Sequence, residues 1–412
     1  YLGLENVVTT DVGGTSFDVS IVAEGKPIIA REPPILRYRI SIPTIEVNSI
    51  GAGGGTIAWI DPAGSFKVGP VSAGALPGPV CYCKGGTEPT VTDADLVLGY
   101  FNPDYFLGGR LKLDKDAANS AIKKLGEKMG WGVIETARAI FTIQNEHMTD
   151  LLRLMVTRRG YDPRDFAVFA FGGGGPTHAP FYATPLSIKS IYMFPESSVF
   201  SAYGIATSDI QRIFNISIYA RLPGDNKEIA KRLNATYQDL DKKAITEMEK
   251  AGFRKEEVVL GRGISMKFGR QVNMETIDIP VKDYVATDID DIQKSFVEHY
   301  TRIYGEGAAF VEAGMEIMSE AVTATIKSSA APPAKRPLGS ADASKALKGK
   351  RDVYWEKLGD FHSTDIYDFE SVMPGNTIKG PAIIEATTTT FVIPPDLTAM
   401  MNEYGHIVIE LR

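Results

Sequence analysis

The first 35 residues alternate between apolar, strand-forming segments and short polar turns. β-Branched residues fill both ends of the stretch Val7–Val22, and Gly13-Gly14 interrupts it where a tight turn is needed. This pattern predicts a strand, a glycine turn and a second strand. A third strand is predicted at Lys26–Ala30, and Arg31–Pro34 is predicted to end the meander.

A second strong pattern lies in the middle of the chain. Residues 166–171 are continuously apolar, which is typical of a strand in a sheet that is covered on both faces. Before this segment, apolar residues recur every three or four positions and predict a long helix over Val133–Arg159. The buried stripe of this helix is predicted to contain Ala137, Phe141, Gln144, Met148, Leu151 and Met155.

The second half of the chain mixes charged amphipathic helices with strands. Helices are predicted over residues 224–252 and 288–303, and strands near 257–267, 272–280 and 316–326. Lys327–Pro337 has the composition of a linker, and residues 349–412 show short strands and turns. We therefore predict three domains: α/β at 1–222, α+β at 223–330, and a linker with a small mainly-β domain at 331–412.

Composition limits the class of protein. The chain has 412 residues, 44% hydrophobic and 23% charged, which is ordinary for a soluble protein of two or three domains. Its net charge of −7 argues against a nucleic-acid or anionic-membrane surface. No apolar run approaches the ~20 residues that a membrane span needs.

Cysteine usage and the start of the chain add two expectations. Cys81 and Cys83 lie one residue apart in poor disulfide geometry, so we expect free thiols and a cytoplasmic location. Because the sequence opens directly on a predicted strand, we expect no signal peptide. A start inside a fold, without an initiator Met, indicates a fragment of a longer chain.

Candidate ligand chemistry begins at the turn Gly13-Gly14. A turn without Cβ atoms lets successive backbone N–H groups approach an anion closely, and Thr15-Ser16 adds two hydroxyl donors. Asp11 and Asp18 would repel a bare phosphate, but they fit a phosphate site if Mg²⁺ lies between them, because Mg²⁺ takes oxygen ligands. An ordinary hairpin with a polar turn explains the same residues, and the hairpin alone does not separate the two interpretations.

A dense glycine cluster follows the first strands, with the members Gly51, Gly53, Gly54 and Gly55. Such a cluster costs backbone entropy, so either a ligand or another backbone segment must pass close by. We favour a nucleotide or substrate. Further along, Thr92–Gly99 predicts a capped short helix in which Asp93 and Asp95 favour the positive helix end. The alternative is that one of them, which we take to be Asp93, faces the cleft and helps to bind a metal.

Gly172–Gly175 directly follows the apolar segment at residues 166–171. A strand, a glycine turn and a helix start place backbone N–H groups at the mouth of a parallel sheet, where α/β proteins bind ligands. A plain flexible connector explains four consecutive glycines poorly. His178 lies near this mouth, where it could contact ligand, transfer a proton or only cap the turn, and the sequence leaves these roles open.

The order of these motifs resembles one protein family. Asp11–Asp18 is similar to the phosphate-binding hairpins of the actin, sugar-kinase and heat-shock ATPase superfamily, which uses two such hairpins, one per lobe. The whole series resembles ATP-dependent hydantoinase A subunits, 5-oxoprolinases and acetone carboxylases. Its members are Asp11–Asp18, Gly51–Gly55, Val71–Pro79, Pro89–Ala94, Gly160–Phe166, Gly172–Ala179 and Gly380–Glu385. Within the family, Thr177, Cys81–Cys83 and Gly55–Trp59 are most similar to the acetone carboxylase β-subunit branch.

The resemblance implies an α/β fold whose residues 1–222 form an actin-like (ribonuclease-H-like) ATPase lobe. By position, Asp11–Asp18 would be the second phosphate hairpin and Gly172–Gly175 the adenosine-side turn. The implied cofactors are ATP and Mg²⁺. The implied phosphate ligands are Gly13, Gly14, Thr15 and Ser16. The implied magnesium ligands are Asp11, Asp18 and Asp93, and the implied catalytic residues are Asp11, Asp18 and His178, with Gly51–Gly55 lining the cleft.

The implied activity is ATP-dependent carboxylation of a ketone such as acetone. The subunit would phosphorylate the ketone and bicarbonate for conversion to an acetoacetate-type product. A large hydantoinase-B-like subunit, which would carry a transition metal (Mn, Zn or Fe), and a small third subunit are the implied partners. The alternatives are an ATP-dependent hydrolase of a cyclic amide (hydantoin, 5-oxoproline or another lactam) and a nucleotide-binding scaffold subunit.

Overall fold

The structure is a computed structural model that describes residues 1–30, 34–35, 38–39, 44–331 and 333–411. Most of the segment predicted to end the first meander, Arg31–Pro34, lies outside the described residues. The chain divides into two compact units. The first comprises Tyr1–Thr157, Tyr161–Tyr203 and Pro332–Arg412, and the second comprises Arg158–Gly160 and Gly204–Ala331.

The part of the chain before residue 208 contains twelve short strands and five helices among the described residues. They are β1 Val7–Val12, β2 Phe17–Ala23, β3 Lys26–Pro27, β4 Ile29–Ala30, β5 Pro34–Ile35, β6 Tyr38–Arg39, β7 Thr44–Ile45, β8 Val47–Ile50, β9 Thr56–Ile60, β10 Phe66–Ser72, α1 Val91–Val97, α2 Lys115–Gly126, α3 Val133–Thr157, β11 Ala167–Phe171, α4 Gly175–Ala183, β12 Ser190–Met193 and α5 Phe200–Thr207.

The remaining described part is richer in strands. Its elements are β13 Ile210–Leu222, α6 Asn226–Lys250, β14 Val258–Phe268, β15 Glu275–Ile279, α7 Ala286–Tyr304, β16 Met315–Ile326, β17 Leu347–Trp355, β18 Asp360–Asp368, β19 Thr377–Lys379, β20 Ala382–Glu385, β21 Thr390–Ile393, β22 Thr398–Met401 and β23 Ile407–Glu410.

The main sheet of the first unit is built around β11. Its strand order is β19-β22-β23-β12-β11-β1-β2-β3, and β8 also pairs with β2. β1, β11 and β12 run parallel, whereas β2 returns antiparallel to β1. Val8, Val168 and Ile191 lie side by side across the three parallel strands and are fully buried, as the continuous apolar segment predicted. The carboxyl ends of β1 and β11 therefore meet at one edge of the sheet.

Helices α3 and α4 add the layer that covers this sheet. Met148 and Leu152 of α3 and Tyr182 of α4 share one apolar core with the parallel strands. The predicted stripe of α3 is confirmed, because its members are buried or half-buried. The structure therefore has the predicted α/β architecture, with parallel strands under helices.

The carboxy-terminal segment completes the first unit in two ways. β22 and β23 extend the main sheet beside β12, while β17, β18, β20 and β21 form a separate four-stranded sheet. Trp355 and Ile383 of that sheet pack in one core with Tyr100 and Phe141. The predicted boundaries of a separate carboxy-terminal domain stay a prediction.

The second unit is an α+β layer. Its sheet has the order β13-β16-β14-β15, with antiparallel pairing throughout. α6 and α7 pack on it through an apolar stripe that includes Leu233, Tyr237, Ile292 and Phe296. The helices predicted at 224–252 and 288–303 are confirmed. No helix in the described ranges combines the length and the apolar character needed to traverse a membrane.

Candidate functional site

The hairpin β1–β2 brings two carboxylates together. The N–H of Gly13 donates to the carbonyl of Ser16 at 3.1 Å, which closes the predicted glycine turn. Asp11 and Asp18 are register partners across the two strands. Directly opposite residues share one face of an antiparallel pair, so the two carboxylates lie on the same side of the hairpin.

Each carboxylate is held by serine hydroxyls. Ser201 Oγ donates to Asp11 Oδ2 at 2.9 Å, and Ser16 Oγ donates to Asp18 Oδ2 at 2.9 Å. Ser49 donates to the other oxygen of Asp18. Burial raises the pKa of Asp11, the hydrogen bond from Ser201 opposes this rise, and the charge of Asp18 adds to it. A half-buried carboxylate facing another carboxylate is electrostatically suited to a cation.

The second glycine turn lies against the end of β1. A side chain at Gly172, which has a φ of +81°, would collide with Asp11 and Val12, so the two segments touch at backbone distance. The N–H of Gly174 donates to the carbonyl of Val12 at 3.0 Å. The two glycine turns therefore share one crevice at the carboxyl edge of the sheet.

The crevice is open where ligand atoms would enter. Gly14 and Thr15 are exposed at the tip of the first turn, and Gly173 is exposed at the tip of the second. A Cβ atom built on Gly14 or Gly173 would meet nothing within 4 Å. Unlike Gly172, these glycines are not explained by packing, which leaves room for a ligand.

The cluster Gly51–Gly55 has a different role from the one predicted. The N–H groups of Gly54 and Gly55 donate to the carbonyls of Gly13 and Gly14 at 3.0 and 2.7 Å. A Cβ on Gly53 would lie 2.5 Å from the amide nitrogen of Thr15. The segment that passes close to Gly53 and Gly55 is therefore the first turn, whereas a Cβ on Gly51 would meet the backbone of Pro70. The expectation that this cluster lines the ligand cleft is corrected to a supporting role.

The hydrogen bonds from Gly54 and Gly55 orient the first turn. The C=O and N–H of a trans peptide unit point in opposite directions. Because the carbonyls of Gly13 and Gly14 point toward the Gly54–Gly55 backbone, the N–H groups of Gly14 and Thr15 point away from it. The turn thus presents consecutive amide hydrogens on its exposed side, which is the geometry of an anion-binding nest.

Asp93 does not reach the crevice. It is fully buried at the third position of α1, where one oxygen accepts the N–H and the hydroxyl of its N-cap Thr90. Its carboxylate also accepts the N–H groups of Val80 and Cys81. The expected metal role is corrected to a capping role. Within the described ranges, no group of three or more acidic, histidine or cysteine side chains could enclose a metal ion.

His178 is also an interior residue, only 1% exposed. Its Nε2 lies 3.4 Å from Asp95 Oδ2, its Nδ1 lies 3.3 Å from Asn145 Oδ1, and its ring stacks on Phe141. Burial raises the pKa of Asp95, and His178 opposes this rise. The expectation that His178 transfers protons at the ligand surface is corrected, because α4 turns the side chain inward. Cys81 and Cys83 are free, as predicted.

Three hydroxyl residues at the crevice were missed. Ser201 and Ser49 hold the two carboxylates, and Thr389 Oγ1 donates to the carbonyl of Gly173 at 3.0 Å. Thr389 belongs to the loop between β20 and β21. Ser201 lies 190 residues from Asp11 along the chain, so no local pattern identifies it.

Alanine substitutions separate supporting glycines from ligand-facing ones. Gly53→Ala is expected to destabilise the protein by about 3 kcal/mol, because its Cβ would press on the backbone of the first turn. Gly14→Ala is the matched control and is expected to change stability by less than about 0.5 kcal/mol, since its Cβ meets open space. Chemical denaturation measures both, and equal midpoints would contradict the assignment.

The parallel strands, the covering helices and the paired glycine turns at one sheet edge define an α/β protein of the actin-like ATPase class. The chain superposes on the crystal structure of an ATP-dependent caprolactamase from Pseudomonas jessenii with a TM-score of 0.90 and 30% identity, over 99% of this chain and 59% of that one. This similarity confirms the predicted fold class.

Sequence comparison identifies the family. The hydantoinase/oxoprolinase model matches residues 1–213, and the hydantoinase/oxoprolinase C-terminal domain model matches residues 223–412. This chain therefore belongs to the hydantoinase/oxoprolinase family.

Two curated relatives belong to ketone carboxylases. The acetophenone carboxylase gamma subunit of Aromatoleum aromaticum is 36% identical over 99% of this chain and 57% of its own length. The acetone carboxylase beta subunit of Xanthobacter autotrophicus is 32% identical over 100% of this chain and 58% of its own length. The chain thus spans somewhat more than half the length of these relatives.

Proposed function

We propose that this chain is the ATP-binding part of a ketone carboxylase, acting in a complex that converts a ketone of the acetone type and bicarbonate into a 3-oxo acid. One observation carries the proposal: two glycine turns converge on one crevice beside the facing carboxylates of Asp11 and Asp18. The similarity to carboxylase subunits supports the choice of reaction.

The ATP would span the crevice. Gly13, Gly14, Thr15 and Ser16 would hold the phosphates through the exposed amide hydrogens of the first turn. Gly172–Gly175 would contact the adenosine side, with Thr389 fixing the carbonyl of Gly173. The room above Gly14 and Gly173, which no side chain fills, supports this placement.

The residues fit a magnesium ion at Asp11 and Asp18. Mg²⁺ is commonly held by one or two carboxylates, together with waters and substrate phosphates, so a site without a third acidic ligand suits it. When bound, Mg²⁺ would neutralise charge on the phosphates. The chain's own contribution is to hold the two carboxylates in place through Ser201, Ser16 and Ser49.

The proposed chemistry is phosphoryl transfer to oxygen. An enolate oxygen of the ketone, or an oxygen of bicarbonate, attacks the γ-phosphorus as its bond to the ADP oxygen breaks. The products are ADP with a phosphoenol or a carboxyphosphate. Catalysis on this side is positioning and charge stabilisation by backbone N–H groups. Carbon–carbon bond formation is assigned to a large hydantoinase-B-like partner that carries a transition metal, with a small third subunit completing the complex.

A second candidate is ATP-dependent hydrolysis of a cyclic amide. The observation in its favour is the TM-score of 0.90 with the caprolactamase structure. In this reaction, the amide oxygen of a lactam takes the γ-phosphoryl group, ADP leaves, and a partner adds water to the activated carbon. The same crevice serves both candidates, so the substrate decides between them.

Stimulation of ATP hydrolysis tests the two candidates on the assembled complex. We expect acetone together with bicarbonate to increase ADP release at least tenfold, and either one alone to have a smaller effect. Caprolactam, hydantoin and 5-oxoproline serve as the matched panel. Stimulation by a member of that panel without bicarbonate would reject the carboxylase and support the hydrolase.

A further inference from the structure

The short helix α1 contacts the supports of both glycine turns. The N–H and the hydroxyl of Thr92 both donate to the carbonyl of Gly54, at 2.8 and 2.9 Å. Three residues later, Asp95 Oδ2 lies 3.4 Å from Nε2 of His178 on α4. Positions three apart are neighbours on a helix surface, so one small patch of α1 reaches both sides of the crevice from behind.

The link to the first turn runs through the glycine cluster. Gly54 and Gly55 donate to the carbonyls of the first turn, while Thr92 holds Gly54 in place. Gln144 of α3 donates to the carbonyl of Gly53 at 3.3 Å. A shift of α1 would therefore carry the Gly54 backbone and the first turn that it supports along together, as one body.

The link to the second turn runs through His178. This residue lies in the first turn of α4, which begins at Gly175, two residues after the exposed Gly173. Asn145 Nδ2 donates to the carbonyl of Phe141 at 2.8 Å, which leaves Asn145 Oδ1 facing His178 Nδ1. Oδ1 therefore accepts a hydrogen bond from the N–H at Nδ1. His178 Nε2 is then directed at Asp95. Both side chains of this pair are 1% exposed, so water does not compete for the contact.

We propose that Asp95 and His178 are positioning residues that, together with Thr92, set the spacing between the two glycine turns. The inference rests on the proposed function, in which one ATP molecule bridges both turns. Neither residue contacts the ligand. A ligand that spans two sites loses affinity when their spacing changes, because a misplacement of about 1 Å is enough to disturb a bridging geometry. A ligand that fills only one of the two sites keeps its affinity.

Two ligands, ATP and tripolyphosphate, distinguish a changed spacing of the two turns from a general loss of the binding site. In Asp95→Ala, measured on the whole protein by calorimetric titration, we expect ATP to bind about tenfold more weakly. Tripolyphosphate, which fills only the first turn, is expected to bind as it does to the wild type. Asp95→Asn is expected to bind ATP within about twofold of wild type, since its amide can still form a hydrogen bond with Nε2 of His178.

Thr364→Val provides a matched control for the loss of a buried hydrogen bond. Thr364 Oγ1 accepts the indole N–H of Trp355 at 2.9 Å and donates to the carbonyl of His362, so its hydrogen bonds stay within the carboxy-terminal sheet. This variant is expected to lower the melting temperature without changing ATP affinity. If Asp95→Ala does not fold, Thr92→Val replaces it, because that variant keeps the backbone hydrogen bond to Gly54 and is expected to weaken ATP binding about threefold.

The outcomes distinguish this inference from the proposed function. Absence of ATP binding to the wild-type protein would overturn both. Normal ATP binding by the wild type together with unchanged ATP binding by Asp95→Ala would overturn the spacing role alone. Equal weakening of ATP and tripolyphosphate would also overturn it, since that result means general loss of the first turn.

Discussion

Asp11→Asn is expected to lower the kcat of ATP turnover about 100–1,000-fold while the protein stays folded and assembled. Asn keeps the shape of the side chain and can still accept the hydrogen bond from Ser201. It removes the negative charge that faces Asp18 and that we assign to magnesium binding. Steady-state ADP release by the reconstituted complex measures the loss, and size-exclusion chromatography measures assembly.

The stability of this variant gives a second readout. Burial raises the pKa of Asp11, so the folded protein holds its proton more tightly than the unfolded chain does. A carboxyl group of this kind lowers the free energy of unfolding once the pH exceeds its pKa in the unfolded chain. A neutral Asn at the same position removes this destabilisation. At neutral pH the melting temperature is therefore expected to stay level or to rise, which is typical of a residue retained for function.

Thr9→Val is the matched control on the same strand. Thr9 lies two residues before Asp11 on the same face. Among the described residues, its hydroxyl donates to the carbonyl of Ser20, at 3.4 Å, and to no other group. Its kcat is expected to stay within about twofold of wild type. An unchanged kcat in Asp11→Asn would reject the assignment of Asp11. Loss of assembly without loss of folding would instead favour the scaffold alternative.

Local periodicity was sufficient to predict the elements that surround the crevice. The hairpin β1–β2, the apolar strand β11 and the stripe of α3 each carry their signal within a few residues, and each was predicted. β13 was missed because several of its apolar side chains remain exposed at the sheet edge, so burial does not impose alternation on its sequence. The attachment of β22 and β23 to β12 joins segments more than 200 residues apart, which no local pattern encodes.

The site was predicted unevenly for a related reason. The sequence identifies Asp11, Asp18 and the two glycine turns because their chemistry is contiguous. It shows that something passes close to Gly53, but the sequence does not distinguish a ligand from the backbone of Thr15. Likewise, His178 has the chemistry of a proton carrier, and only the packing of α4 against α3 and α1 shows that it lies inside.

The buried ion pair of Glu385 links the carboxy-terminal sheet to the loop after α1. Glu385 is 2% exposed, and its oxygens accept Arg351 and Lys348 at 2.6 Å each. Arg351 also donates to the carbonyls of Gly99 and Tyr100. Removing Arg351 would leave the buried carboxylate with Lys348 and a 3.5 Å contact from Asn102 Nδ2, and would leave two backbone carbonyls without this donor.

Arg351→Met is therefore expected to destabilise the protein by about 3 kcal/mol, since removal of one partner leaves the buried charge of Glu385 only partly compensated and frees two backbone carbonyls. Lys350→Met is the matched control on the same strand. Its partner Asp365 lies 2.9 Å away, and the Lys350 side chain is 61% exposed, so a change below about 1 kcal/mol is expected. Urea denaturation at neutral pH gives both values, and equal values would reject the buried pair as a source of stability.

The pH dependence of stability provides an independent check on Arg351→Met. Burial alone would raise the pKa of Glu385, but the hydrogen bonds from Arg351 and Lys348 outweigh it and hold the pKa below the ordinary value of 4.5. A carboxyl group with a lowered folded-state pKa adds stability above its unfolded pKa, and that stability is lost as the pH falls through the folded-state pKa.

The wild type is thus expected to lose stability on acidification below about pH 4.5 more steeply than Arg351→Met, because the variant has already lost the main interaction that depresses this pKa. Parallel curves for the two proteins would show that Arg351 does not control the ionisation of Glu385.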